Sequence, residues 1–418
     1  MNRSMDRRKF LLNSAGLAAA GGLASLLPVS LKPALASTTT TLTIDRRTIE
    51  VMGKAASVFG IRQPDGTAGI TLGSHVHLFG AGPQTVLRAA AGSSYSSVLR
   101  VWGSDVSVAD LRIDGNAAAQ TAGNGWGVEV RPVSHDVLLE RLTIDHVRSD
   151  GVHLWGDHQR VTIADSAIDG GGTASAGVRD LISDDTSGWT AVLRTDVRSF
   201  VDHGIILYPY VSSTPHPGPG SLVAQDTVSG IVDPATANGT NEGGIWSSGE
   251  DALVLGNIVD TTGWAGIETF GRSLRAHLVG NTVRRTPVGI YLEHETYDSV
   301  IAGNTIEPLP TGHGINVEWW YGGKGSKRQT ITGNTITGAK VGIYLDCGAD
   351  DNVVSANRVY DSADAAIVLA GSDGNVLTGN DVRDRRATPQ QAYGVREQNA
   401  RDDQNALVTP DGNTVRDT

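Results

Sequence analysis

From about residue 75 onward, short apolar runs alternate with glycine- and asparagine-centred turns, and the alternation keeps a period. A glycine followed by Val or Ile returns at Gly127, Gly151, Gly177, Gly204, Gly244, Gly266, Gly289, Gly314, Gly342 and Gly394, with Ala366 standing in once. Most steps are 22 to 28 residues; the step of 40 from Gly204 to Gly244 contains "STPHPGPGS" and "DPATANGTNEGG" and predicts an inserted loop. A second marker keeps the same phase. "GN" followed by one residue and then usually Val or Ile places asparagine at 257, 281, 304, 334 and 380, with Asn357 in "ANRV". One amide per unit at a constant offset predicts a stack in which each side chain bonds the next. Two or three short strands of period two per unit predict an all-β chain, each unit one coil of a parallel β-solenoid.

The alternation also assigns faces. In "GIYLEHET" (289–296), Ile290 and Leu292 point into the core, while Tyr291 and Glu293 point to solvent. The phrase returns as "GINVEWWY" from 314 and "GIYLDCGA" from 342, so Glu293, Glu318 and Asp346 share one place in three successive units. The outer column that contains them reads Arg131, Trp155, Leu181, Tyr208, Ser248, Phe270, Glu293, Glu318, Asp346, Ala370. At about 4.8 Å per rung the three acids form a vertical ladder, with Glu268 one coil earlier and one outward position nearer the glycine. Tyr208, Trp246, Phe270, Tyr291, Trp319, Trp320 and Tyr344 cluster around it in a chain that is only 5% aromatic. Acids bracketed by aromatic rings describe a cleft for sugars, whose C–H faces stack on rings while their hydroxyls bond carboxylates.

This repeat resembles the right-handed parallel β-helix of pectate lyases, polygalacturonases and their relatives. The resemblance implies a single-stranded right-handed parallel β-helix of about a dozen coils over residues 75–418 and a carbohydrate-active protein. "SDDTSGW" (183–189) and "GHGI" (312–315) are similar to fragments of the polygalacturonase site, but their order and surroundings differ and neither is transferred.

The N-terminus reads differently. "DRRKFL", an apolar Ala/Leu/Gly stretch and "ALA" at 34–36 resemble a twin-arginine export signal, which implies a signal peptide at 1–36 and a periplasmic or extracellular protein with no membrane partner after cleavage. Residues 41–72 resemble the opening strands of bacterial multicopper oxidases through "GKAASVFGIRQPDGT"; the next histidines, His75 and His77, have no His-Cys-His cluster to join, so no copper ligand is expected. Residues 37–74 are read as a leader or cap. Removing 1–36 takes away five basic side chains and one acid, leaving 29 basic against 44 acidic and a balance of −15, which disfavours nucleic acid. A single cysteine, Cys347, excludes an internal disulfide.

Carboxylates on neighbouring rungs cannot all ionise freely, so the ladder supplies an acid and a base. The expected catalytic groups are Glu318, Glu293 and Asp346 with Glu268 in support. Trp319, Trp320, Tyr291, Tyr344, Trp246, Phe270, Tyr208, His313 and His294 are expected to bind substrate. The reaction expected is glycoside hydrolysis of a polysaccharide or oligosaccharide without cofactor, retaining or inverting. Two alternatives stand beside it. One is a polyuronate lyase in which the acids hold Ca²⁺ and Lys324, Lys327, Arg328 or Arg272 removes the proton; the other is a non-catalytic carbohydrate-binding β-helix.

Overall fold

A computed structural model describes residues 43–51, 54–62, 70–92, 94–120, 123–156, 158–181, 189–208, 220–233, 242–271, 273–318, 325–402 and 405–418, with 43–62, 172–175, 178–181 and 208 described in backbone only. The expected signal peptide, Trp319, Trp320, Lys324, Arg272, "SDDTSG" and the Tyr208 side chain lie outside these limits.

The described chain is a parallel β-solenoid. The only helix among the described residues is the three-residue 3-10 turn Ala117–Ala119. One wall is a 13-stranded parallel sheet; most other strands run as a 22-stranded sheet whose rungs pair coil on coil, and Ala400–Arg401 pairs antiparallel with Leu407–Val408. Ile70–Leu72 pairs with Ser97–Val101 at the first rung, and Ala365–Ala370 pairs with Tyr393–Gln398 near the last. Thr43–Val51 and Lys54–Arg62 form a separate antiparallel hairpin.

Both sequence markers have a steric cause. A Cβ on Gly289 would lie 2.4 Å from the Gly314 carbonyl oxygen and 2.4 Å from Ile306 Cγ2, so the coil bends too close to its neighbour for any side chain. The glycine of "GN" sits instead at a corner with φ of 63° to 67° at Gly256, Gly280, Gly303 and Gly333. Earlier coils fill that corner with Asp110, Arg141, Asp165 and Arg194 at φ of 50° to 58°. There Arg141 clasps Asp110 at 2.7 and 2.8 Å, and Arg194 clasps Asp165 at 2.6 and 2.8 Å.

The core is one continuous stack of Val, Ile and Leu, one or two per strand. Beside the "GN" corner runs the amide ladder. Asn304 Oδ1 accepts the Asn281 backbone N–H at 2.9 Å and its side-chain amide at 3.0 Å, while Asn304 Nδ2 donates to the Leu278 carbonyl at 2.9 Å and to Asn334 Oδ1 at 2.8 Å. The pattern continues from Asn257 through Asn357 to Asn380. Asn304→Ala is expected to destabilise by roughly 3 kcal/mol, because it strands several fully buried donors and acceptors; thermal unfolding followed by circular dichroism reads this, and an unchanged midpoint would contradict it.

Candidate active site

The register places the acids as the repeat predicts. Glu268 pairs with Tyr291, Tyr291 with Asn316 and Asn316 with Tyr344 along one outward column. In the next column Glu293, Glu318 and Asp346 donate their backbone N–H groups to Thr269, Leu292 and Val317, each one coil earlier, at 2.9 to 3.0 Å. Three acids therefore occupy consecutive rungs, with Phe270 on the rung before.

Their surroundings correct one expectation. Tyr291 and Glu293 do point away from the core, but both are buried: Tyr291 is 2% exposed, Glu268 6% and Glu293 9%. Tyr291 packs with Ala265, Val288 and the edge of Trp264, whose ring centroid is 5.8 Å away. For Glu268 burial makes the carboxyl chemically unusual, since taking a carboxylate out of water penalises its charged form.

Glu318 is the best-defined case. Its Oε2 accepts the Tyr291 hydroxyl at 2.8 Å and the Asn316 side-chain amide at 2.9 Å. Burial pushes its pKa up to about 7, against the pull of those two donors and with a further push from Asp346 and Glu293. Asp346 is also raised by burial, although the Cys347 N–H and the Tyr344 hydroxyl bond its anion. Glu268 stands well above the carboxylate range through burial and the nearby Glu293 charge. Tyr291 and Tyr344 are raised too, by burial first and then by the acids, so both hydroxyls keep their protons and act as donors.

The remaining residues form two groups. His294 Nδ1 lies 3.0 Å from Glu293 Oε1 without making a hydrogen bond, and its ring meets that of Phe270 edge-on at a centroid distance of 4.4 Å. Trp246 contacts Phe270 at 5.2 Å and donates from its indole to Ser248 at 3.1 Å. His313 stacks on Tyr344 at 5.0 Å; burial and Lys340 press its pKa down to about 4, which makes it neutral at ordinary pH. His203, a histidine the sequence also offers as an acid/base group or metal ligand, lies with its ring 5.1 Å from that of Trp246, whereas Asn316 and Trp264 carry no role expected from the sequence.

The lyase alternative meets the geometry here. Among the described residues, the only three carboxylate or histidine donors lying mutually within 4.8 Å are Asp114, Asp145 and His146, far from the ladder in sequence, so the acids do not converge as Ca²⁺ ligands do. Lys327 is bound to Asp350 at 2.7 Å and Arg328 to Asp298 at 2.7 and 2.9 Å, so both cations are engaged away from the acids.

A family model described as periplasmic copper-binding protein NosD matches residues 322–408. That stretch holds no histidine or methionine, and its one cysteine, Cys347, is buried with a thiol pushed up to about 11 by burial. A lone protonated thiol does not make a copper site, so the matched residues do not fit the metal. No curated protein matches the chain. Among solved structures it is similar to the A-module of the mannuronan C-5 epimerase AlgE6 of Azotobacter vinelandii, with 14% identity, 82% of this chain and 84% of that chain covered, and a TM-score of 0.45. PfbA, a surface adhesin of Streptococcus pneumoniae, gives 14%, 82%, 89% and 0.48, and a substituted form of the periplasmic alginate epimerase AlgG gives 11%, 72%, 76% and 0.46. At these identities and scores the likeness carries no argument about activity.

Proposed function

We propose that the chain is an exported carbohydrate-active enzyme that hydrolyses glycosidic bonds, with Glu318 as the proton donor. The observation that carries this is a carboxyl group with a pKa of about 7, fixed by Tyr291 and Asn316 between acids on the adjoining rungs. A general acid works best when its pKa lies near the operating pH, and Glu318 meets that condition. Asp346 is assigned the complementary role: its anion is held by Tyr344 and the Cys347 N–H, ready to attack or to activate water. Neighbouring rungs set the two acids about one strand spacing apart, nearer the roughly 5 to 5.5 Å of retaining enzymes than the wider inverting separation. Glu268, whose charged form burial disfavours, and the Glu293–His294 pair lie around them. Trp246, Phe270 and Tyr344 offer ring surface to sugar faces. Export is supported by the paired Arg7 and Arg8 and by the periplasmic description of the family matched in part.

The test is a panel of polysaccharides assayed for new reducing ends and, in the same tubes, for the ultraviolet absorbance of an unsaturated sugar. Reducing ends without absorbance are expected. Absorbance would transfer the site to an eliminating enzyme, and binding without either product would make it a recognition surface.

A further inference from the structure

Several coils before the acids, the same outward column carries Trp102, Arg131 and Trp155 on consecutive rungs. The Trp102 and Arg131 N–H groups bond Leu72 and Val101 one coil back, at 2.8 and 2.9 Å, and Leu154 pairs with Val130. The Arg131 guanidinium lies 5.5 Å from the centroids of both indoles, between them. Trp102 is 56% exposed and Trp155 37% exposed, unusual for rings of that size.

The surroundings hold these groups firmly. Buried Glu129 accepts Arg131 Nη1 at 3.0 Å, the Trp155 indole N–H at 3.0 Å and Arg100 Nε at 2.8 Å. Trp155 also meets His153 edge-on at 5.0 Å. Among the described residues Nη1 is the only guanidinium nitrogen of Arg131 with an acceptor, and the Arg131 side chain is one-third exposed. Two open indole faces flanking a fixed, partly free guanidinium are more ordering than an inert surface needs.

We propose that Trp102, Arg131 and Trp155 form a second carbohydrate-binding platform, remote from the acids, for a polymeric glycan. Pyranose rings lie on the indoles, and an oxygen of the sugar bonds the guanidinium. Register fixes its distance: from Trp155 the column passes Leu181, Tyr208, Ser248 and Phe270 to Glu293, five rungs or about 24 Å. A chain held at both places is therefore long, which deepens the hydrolase reading by making its substrate a polymer. The platform rests on that reading only for the choice of ligand.

The test uses the full chain carrying Glu318→Gln, electrophoresed through gels containing xylan, dextran, polygalacturonate or alginate. Retardation by at least one polymer is expected, and adding Trp102→Ala, an exposed site whose loss leaves folding intact by circular dichroism, should weaken that affinity roughly five- to tenfold. Retardation by uronate polymers alone, reduced by Arg131→Lys, identifies the bonded oxygen as a carboxylate; retardation by neutral polymers identifies a hydroxyl. No retardation by any of the four, or equal retardation with and without Trp102, overturns the platform. The outcomes separate from catalysis: Trp102-dependent retardation with no reducing ends from the unsubstituted chain sinks the hydrolase and keeps the platform, and cleavage with Trp102-independent retardation does the reverse.

Discussion

Glu318→Gln is expected to lower kcat by about 10²- to 10⁴-fold on whatever polysaccharide the unsubstituted chain cleaves, the usual range for losing a general acid. Substrate affinity should change little, because the amide keeps the shape of the group between Tyr291 and Asn316. The pH profile gives a second reading. Glu318 must be protonated to donate, so activity should fall as pH rises through about 7. On the acid side it should fall as Asp346 gains a proton; both limbs are properties of the coupled group rather than of one residue. Steady-state kinetics across pH would sink the assignment if Glu318→Gln stayed fully active, or if the alkaline limb lay far from neutrality.

The second large effect concerns stability. Asp226 occupies a rung of the amide ladder: its Oδ1 accepts the Thr195 N–H at 2.7 Å, and its own N–H bonds Asn257 Oδ1 at 2.9 Å. Its Oδ2 is buried without a hydrogen-bond partner among the described residues, in the position from which each neighbouring asparagine donates. Burial pushes its pKa from 3.8 up to about 7. Between those values the folded chain retains a proton that the unfolded chain has released, so stability falls as pH rises from about 4 to about 7 and stays lowered above that. Asp226→Asn removes the penalty and adds a donor aimed at Asn257 Oδ1. A gain of up to about 4 kcal/mol is expected at pH 8, the free-energy equivalent of that shift, with little gain at pH 4. Denaturant unfolding at the two pH values decides this; equal gains at both would refute the buried-charge account.

The sequence made the coil period and the ladder register readable for a physical reason. Side-chain direction repeats every two residues and coil length repeats at the glycine, so Glu293, Glu318 and Asp346 could be stacked by counting. Burial could not be counted. The cover over Tyr291 comes from Trp264, which belongs to the preceding rung and lies before the glycine that sets the phase. Asn316 escaped notice because an outward amide looks like any other polar residue until Glu318 is seen to accept from it. Asp226 escaped because only asparagine was tracked, while the earlier coils fill that place with Thr195 and Ser166. Trp102 precedes the first glycine marker, so its rung emerged only from the pairing of Val101 with Val130.

The corner where Asp110, Arg141, Asp165 and Arg194 succeed one another adds little to stability, because exposed ion pairs are worth at most about 1 kcal/mol each. Its effect falls on assembly. A solenoid of near-identical coils can mispair by one coil at small cost to its apolar core, since Val and Ile recur at every rung. An alternating column cannot slip so cheaply: a shift of one coil sets aspartate against aspartate and arginine against arginine. In the coils where the glycine corner has not yet begun, charge thus acts as a parity check on which coil stacks upon which.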